Sequence, residues 1–261
     1  MTPSPYPIVR MRPKTQARAI RHGAPWVYDN ELVTDRRTKK LSPGSIALLE
    51  DAERKPLAVV AVNPASRIMA RVLDRDVQAV IDGDWLRVRM ARALALRERV
   101  FEAPFYRLVH AEADGLPGVV IDRFGDVAVI QPNAAWAEGL LDELCAAVVE
   151  VTGVETVLKN ATGRARTLEG LDEENAVLHG VAPGGPVPVP MNGATYMADL
   201  MGGQKTGLFY DQRPNHAFAA QLSKGARVLD VFSHVGGFSL ACLAQGAASA
   251  VAVDGSQAAL D

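Results

Sequence analysis

An α/β and α+β multidomain fold is indicated by three shifts in the text of the chain. Short apolar runs broken by turn residues fill the first 75 positions. Strands and helical stretches mix through the middle, and a strand, a glycine turn, a helix and a second strand follow one another near the end. The expected organisation is a small β module over 1–75, a central α+β domain over 76–190 and part of a doubly wound domain over 191–261.

In the front block, strands are expected at 8–12, 45–49, 57–62 and 68–73, with Ser42-Pro43-Gly44 and Asn63-Pro64 as turns between them. Asp84 is expected to cap a helix over 85–100. In that stretch Leu86, Met90, Ala93, Leu94 and Val100 recur at helical spacing, while Arg87, Arg89, Arg92, Arg97 and Arg99 take the remaining positions. The middle block predicts strands at 108–112, 119–122 and 127–131, with a hairpin turn at Phe124-Gly125-Asp126. A helix over 134–151 then buries Trp136, Leu140, Leu141, Leu144 and Val148, and a strand follows at 156–159. Residues 163–190 are rich in Gly, Pro and acid and predict a linker or mobile loop. The final block predicts a strand at 225–232, a turn at Ser233-His234-Val235-Gly236-Gly237, a helix over 238–244 and a strand at 248–253 that ends on Asp254.

Composition narrows the function classes. No apolar run approaches the roughly 20 residues of a membrane span, and the start lacks the apolar stretch of a secretory signal, so a cytoplasmic location without membrane contact is expected. Cys145 and Cys242 are too few for a disulfide framework and stand in no zinc-binding spacing, so both read as small buried residues and no metal is expected. Residues 1–110 hold 20 Lys and Arg against 12 Asp and Glu, whereas residues 111–261 hold 8 against 18. A basic front joined to an acidic back suits contact with a polyanion such as nucleic acid, although solvated loops produce the same imbalance.

The β-α-β unit carries the cofactor argument. Glycines at a strand-to-helix turn let a ligand approach the backbone, and an acid at the end of the second strand can hold ribose hydroxyls. A dinucleotide fingerprint needs a third glycine that Gly236-Gly237 lacks, and no phosphate-binding GxxxxGK[ST] loop occurs. Asp230 places a second carboxylate beside the turn, and two carboxylates suit a cationic, phosphate-free cofactor, S-adenosyl-L-methionine, better than NAD.

The segments GGQKTGLFYDQRPN (202–215), VLDVFSHVGGFSL (228–240) and AVDGS (252–256) resemble the class I S-adenosylmethionine-dependent ribosomal RNA methyltransferases whose bacterial members form 5-methylcytosine in 23S rRNA. RHGAPWVYDNEL (21–32) and SPGSIALLED (42–51) resemble their PUA domain, and EADGLPGVVIDRFGDVAVIQ (112–131) resembles the start of their central domain. The resemblance implies a PUA-like β barrel, a central α+β domain and a Rossmann-like catalytic domain. It assigns Asp230, Phe232, Ser233, Gly236, Gly237 and Phe238 to the cofactor turn and Asp254 to the ribose. Phe209, Gln212 and Arg213 would border the pocket, with Lys205 and Thr206 forming its approach. It further implies RNA contact, with 23S rRNA as partner, through the basic run Lys14, Arg18, Arg21 and His22 and a second run over 36–40. Family catalytic domains continue beyond the second strand and carry a cysteine nucleophile near their end, so the chain reads as a fragment with no catalytic residue of its own and no methyl-transfer activity by itself. A non-catalytic RNA-binding protein is the alternative function, and a homodimer is kept open.

Overall fold

The front strands pair into one sheet because each carries an apolar face and turns separate them at short range. The computed structural model describes residues 5–15, 17–202 and 207–260. Strands β1 (Ile8–Arg10), β2 (Trp26–Tyr28), β3 (Ser45–Glu50), β4 (Pro56–Val62) and β5 (Ile68–Asp74) lie in the order β1-β3-β4-β5-β2, with helix α1 (Ala17–Arg21) between β1 and β2. The first strand stops at Arg10 rather than running to residue 12, and Met11 bridges to Leu32 instead. Strand β4 explains its unbroken apolar text: Ala58, Val60 and Val62 enter the front core, while Val59 and Ala61 enter the core of the central domain. Both faces are buried, so no polar residue alternates.

Helix α2 (Gly83–Val100) is capped by Asp82, whose Oδ1 accepts from Trp85 N at 2.9 Å. This corrects the expected cap at Asp84. The cap residue must sit in extended backbone before the first turn; Asp82 does, whereas Asp84 lies inside the first turn and pairs with Arg87. Leu86, Met90 and Ala93 face the central core, and Trp85 meets Trp136 edge to face at 6.1 Å.

The central sheet comprises β6 (Phe105–His110), β7 (Val119–Phe124), β8 (Val127–Pro132), β9 (Thr156–Lys159) and β10 (Ala176–His179), in the order β10-β9-β8-β7-β6. Strands β8 and β9 run parallel, joined by helices α3 (Ala135–Gly139) and α4 (Leu141–Thr152). The expected single helix over 134–151 is thus broken: Leu140 leaves the helical path at φ −118°, ψ 29°, just after Gly139. The expected strand at 108–112 ends at His110, because residues 111–114 wind into a tight turn closed by Gly115 in the left-handed region.

The stretch expected to be a linker is instead built in. Helix α5 (Arg164–Glu169) and strand β10 occupy part of it, and Arg166 is completely buried. Its guanidinium donates to Pro132 O at 2.6 Å, Glu138 Oε2 at 2.7 Å and both the carbonyl and carboxylate of Asp172. Glu169 accepts from Asn63, Ser66 and Arg71 of the front sheet. Composition cannot reveal this, because polar residues that read as solvated are consumed by partners far away in sequence.

Strands β11 (Val187–Met191) and β12 (Ala194–Ala198) form a hairpin, and β11 runs across the boundary expected at 190. Asn192 and Gly193 both have positive φ, at 52° and 79°, which is the turn that matches strand twist. Val189, Met191, Tyr196 and Ala198 pack on Phe124, Val129 and Leu158 of the central sheet. The chain then gives α6 (Arg213–Gln221), β13 (Arg227–Val231), α7 (Gly237–Ala244) and β14 (Ser249–Val253), with β13 and β14 parallel. Among the described residues no helix is long and apolar enough to cross a membrane.

Candidate functional site

The carboxyl ends of β13 and β14 meet at one turn, and the backbone there is forced into unusual shapes. Phe232, His234 and Gly236 all have positive φ, at 63°, 49° and 75°. Left-handed backbone at two non-glycine residues costs on the order of 1–3 kcal/mol each and is held by its surroundings. Here Phe232 N and Ser233 N both donate to Val253 O, Gly236 N donates to Ser233 O, and the Asp254 carboxylate accepts from His234 N at 2.8 Å. The other Asp254 oxygen accepts from Ser256 N at 2.8 Å. These backbone donors, His234 first, hold the Asp254 carboxyl below its ordinary range, so it is ionised.

Asp230 takes a different role. It is buried, and its Oδ2 accepts from Ser239 N at 3.0 Å, in the first turn of α7. An anion at that position satisfies an orphan donor and complements the positive end of the helix. The protein's own carboxylate thus takes one of the backbone donors at the positive end of α7.

The two glycines differ in purpose. Gly236 supplies left-handed backbone. Gly237 makes room for an imidazole: a Cβ there would lie 2.4 Å from Cε1 of His216. That ring, on α6, is buried and stacks edge to face on Phe238 at 4.5 Å. Burial pushes the His216 pKa down, with Asp230 and Asp211 opposing, and its Nδ1 has no hydrogen-bond partner among the described residues. Tyr196 Oη, its pKa raised to about 12 chiefly by burial, donates to Gly237 O at 3.1 Å. His216, Tyr196 and Ser239 thus support the turn, and sequence reasoning missed all three. A histidine in an alanine-rich helix was a signal, but its partner lies 21 positions onward.

Asp230, Phe232, Ser233, Gly236, Gly237, Phe238 and Asp254 therefore come together. Phe232 is 88% exposed beside the turn, and half-buried Phe209 meets the His234 ring at 4.9 Å. Gln212 and Arg213 make other contacts. Gln212 accepts from Asn215 within its own turn, while Arg213 donates to Phe105 O at 3.0 Å and lies over the Phe101 ring at 4.6 Å, in the central domain. Lys205 and Thr206 lie outside the described residues.

Of the basic run, Lys14, Arg18, Arg21 and His22 are all exposed. Arg21 is paired with Asp51 at 2.5 Å, and Arg18 Nε donates to His22 Nε2 at 3.4 Å. In the second run, Asp35 accepts from Arg37 N and Thr38 N and fixes the turn. Both thiols are buried, Cys145 on α4 with its pKa raised mainly by burial and Cys242 on α7 beside Ala220 and Ala241.

Residues 9–75 match the model of a PUA-like domain, and residues 181–261 match that of an S-adenosylmethionine-dependent methyltransferase. The chain is 36% identical over 251 residues to ribosomal RNA large subunit methyltransferase I of Aliivibrio fischeri strain MJ11, covering 95% of this chain and 63% of that protein. The protein of the same description from Vibrio cholerae O395 is 36% identical over 264 residues, covering 100% of this chain and 64% of the relative. The chain therefore spans somewhat less than two thirds of the length of these relatives. A Streptococcus mutans structure described as a SAM-dependent methyltransferase aligns with a TM-score of 0.81 at 18% identity, covering 97% of this chain and 65% of that one.

Proposed function

We propose, from the premise that the chain joins a PUA-like domain to an S-adenosylmethionine-dependent methyltransferase fold, that it acts in the methylation of large-subunit ribosomal RNA with S-adenosylmethionine as donor. The observation that carries the cofactor reading is the division of labour between two carboxylates. Asp230 takes a backbone donor at the start of α7, while Asp254 stands ionised at the end of β14 with further lone pairs beyond the two backbone bonds it accepts. That pair fits a nucleoside ligand with a ribose to hold and no phosphate to neutralise. S-adenosylmethionine supplies an electrophilic methyl group when bound. The residues of this chain hold and orient: Asp254 toward the ribose, exposed Phe232 and the Phe209–His234 pair as apolar walls, and the 233–237 backbone as the floor.

The finer reading is 5-methylcytosine formation in 23S rRNA. C5 of cytosine is a weak nucleophile until a thiolate adds at C6, and the base must first leave its stack. Buried Cys145 and Cys242 are unsuited to that attack, so the proposal gives the nucleophile to neither and gives this chain the tasks of holding donor and RNA. Lys14, Arg18 and His22 are proposed RNA contacts at the front; a homodimer is not part of the proposal. Nucleoside mass spectrometry of 23S rRNA from cells with and without the gene tests this reading. Loss of one 5-methylcytidine is expected. Loss of a different methylated nucleoside would correct the base, and an unchanged nucleoside set would overturn the activity and leave a non-catalytic RNA-binding role.

A further inference from the structure

A cleft of about 630 Å³ runs between the front sheet and the central domain, walled by the end of β5, the outer face of α2 and the turn over 112–115. Its acids are all engaged. Asp74 accepts from Trp85 Nε1 at 2.9 Å and from Arg89 at 2.8 Å. Glu112 accepts from Trp26 Nε1 at 2.8 Å and from Arg71 at 3.4 Å. Asp114 takes both terminal nitrogens of Arg97, at 2.9 and 2.6 Å. Asp74 is thus offset by Arg89 and Asp114 by Arg97, while Glu112 shares Arg71 with Glu169. Arg75, Arg92 and Arg99 also line the cleft, so with Arg89 its wall carries four arginines against three acids.

Arg75, Arg92 and Arg99 are all exposed. Arg75 is anchored by its Nε on Ile20 O at 3.2 Å, which leaves its two terminal nitrogens for a ligand. Arg92 and Arg99 are seven residues apart on α2, hence on one face and roughly 10 Å apart along the axis. A single small anion cannot meet charges so spread, whereas a polyanion with repeated phosphates can, and the guanidinium fork matches phosphate oxygens.

We propose that this cleft holds the sugar-phosphate backbone of the RNA, with Arg75, Arg92 and Arg99 as its phosphate contacts. The proposal rests on the RNA reading above, but places the main electrostatic contact between the two domains rather than on the basic run of α1, where Arg21 is already spent on Asp51.

Fluorescence anisotropy of the whole chain with a labelled, unmodified 23S rRNA transcript, across roughly 50 to 200 mM salt, tests it. Each neutralised phosphate contributes about 0.7–0.9 to the slope of log affinity against log salt. The triple variant R75A/R92A/R99A is expected to lower that slope by about 2–3 and the affinity at low salt by at least tenfold. R75K/R92K/R99K, which keeps the charge, should retain the slope, and K224A/R227A, two exposed cations of the final block, should bind like the parent. An unchanged slope in the triple variant, or an equal loss of slope in K224A/R227A, overturns the cleft while leaving the RNA reading intact. A parent chain that binds no RNA at low salt overturns both.

Discussion

Gly237 shows how far a single position is legible. A glycine at a strand-to-helix turn reads as room for a ligand, yet the atoms within reach of a Cβ there belong to His216. Gly237→Ala is therefore expected to overpack a buried ring and cost about 1–3 kcal/mol in urea unfolding, with part of the loss recovered in the G237A/H216A double variant. Equal stability of G237A and parent would contradict that packing. His216 adds a pH signature. Its folded pKa lies below the ordinary 6.5, so between the two values the unfolded chain binds more protons. Stability should fall as pH drops below 6.5 and flatten below the folded pKa, and H216Q should remove that part of the slope. The place of Asp254 at a strand end was legible because an apolar run stops there; its backbone donors, His234 N and Ser256 N, were not. Nor was the partner of Asp230, since which backbone N–H it accepts from depends on how α7 folds back over β13.

The same contrast holds for elements. Strands with strong apolar runs were read close to their true bounds, as with β3, β4 and β5, because burial of one or both faces leaves a direct trace in sequence. The short edge strand β2 was missed, since three residues carry too little pattern, and so was the Asn192-Gly193 hairpin, hidden by prolines at 188 and 190. Helix α5 was unreadable because Arg166 and Glu169 are held by tertiary partners. The β13–β14 pair presents the opposite case: its text is apolar, yet Leu229, Val231, Val251 and Val253 are 67%, 51%, 58% and 46% exposed. Few apolar contacts mean a low opening free energy. Hydrogen exchange is expected to show β13 and β14 exchanging through openings at lower denaturant than β7 and β8, and equal protection would refute this.

At the level of the whole molecule, front sheet and central domain are locked by buried polar contacts as well as by the two faces of β4. Glu169 gathers Asn63, Ser66 and Arg71 from the front sheet, with Ala135 N at the start of α3. Removing one partner of a buried charge network leaves the others unpaired, so Glu169→Ala is expected to cost about 3–5 kcal/mol in denaturant unfolding, and E169Q less. A loss under about 1 kcal/mol would show that the lock is apolar alone. The charge asymmetry was visible in sequence, because composition is additive along a chain; the cleft between the front sheet and the central domain was not, because it depends on which acids and arginines pair. The central claim is that Asp230 and Asp254 together select a phosphate-free nucleoside cofactor. Isothermal titration calorimetry of this chain with S-adenosylmethionine and with NAD, repeated on Asp254→Ala, tests it most directly. The account predicts binding of S-adenosylmethionine but not of NAD, weakened at least tenfold in D254A, consistent with loss of a charge-assisted acceptor at about 1.5–3 kcal/mol. Binding of NAD in its place, or an affinity for S-adenosylmethionine that D254A leaves unchanged, would contradict it.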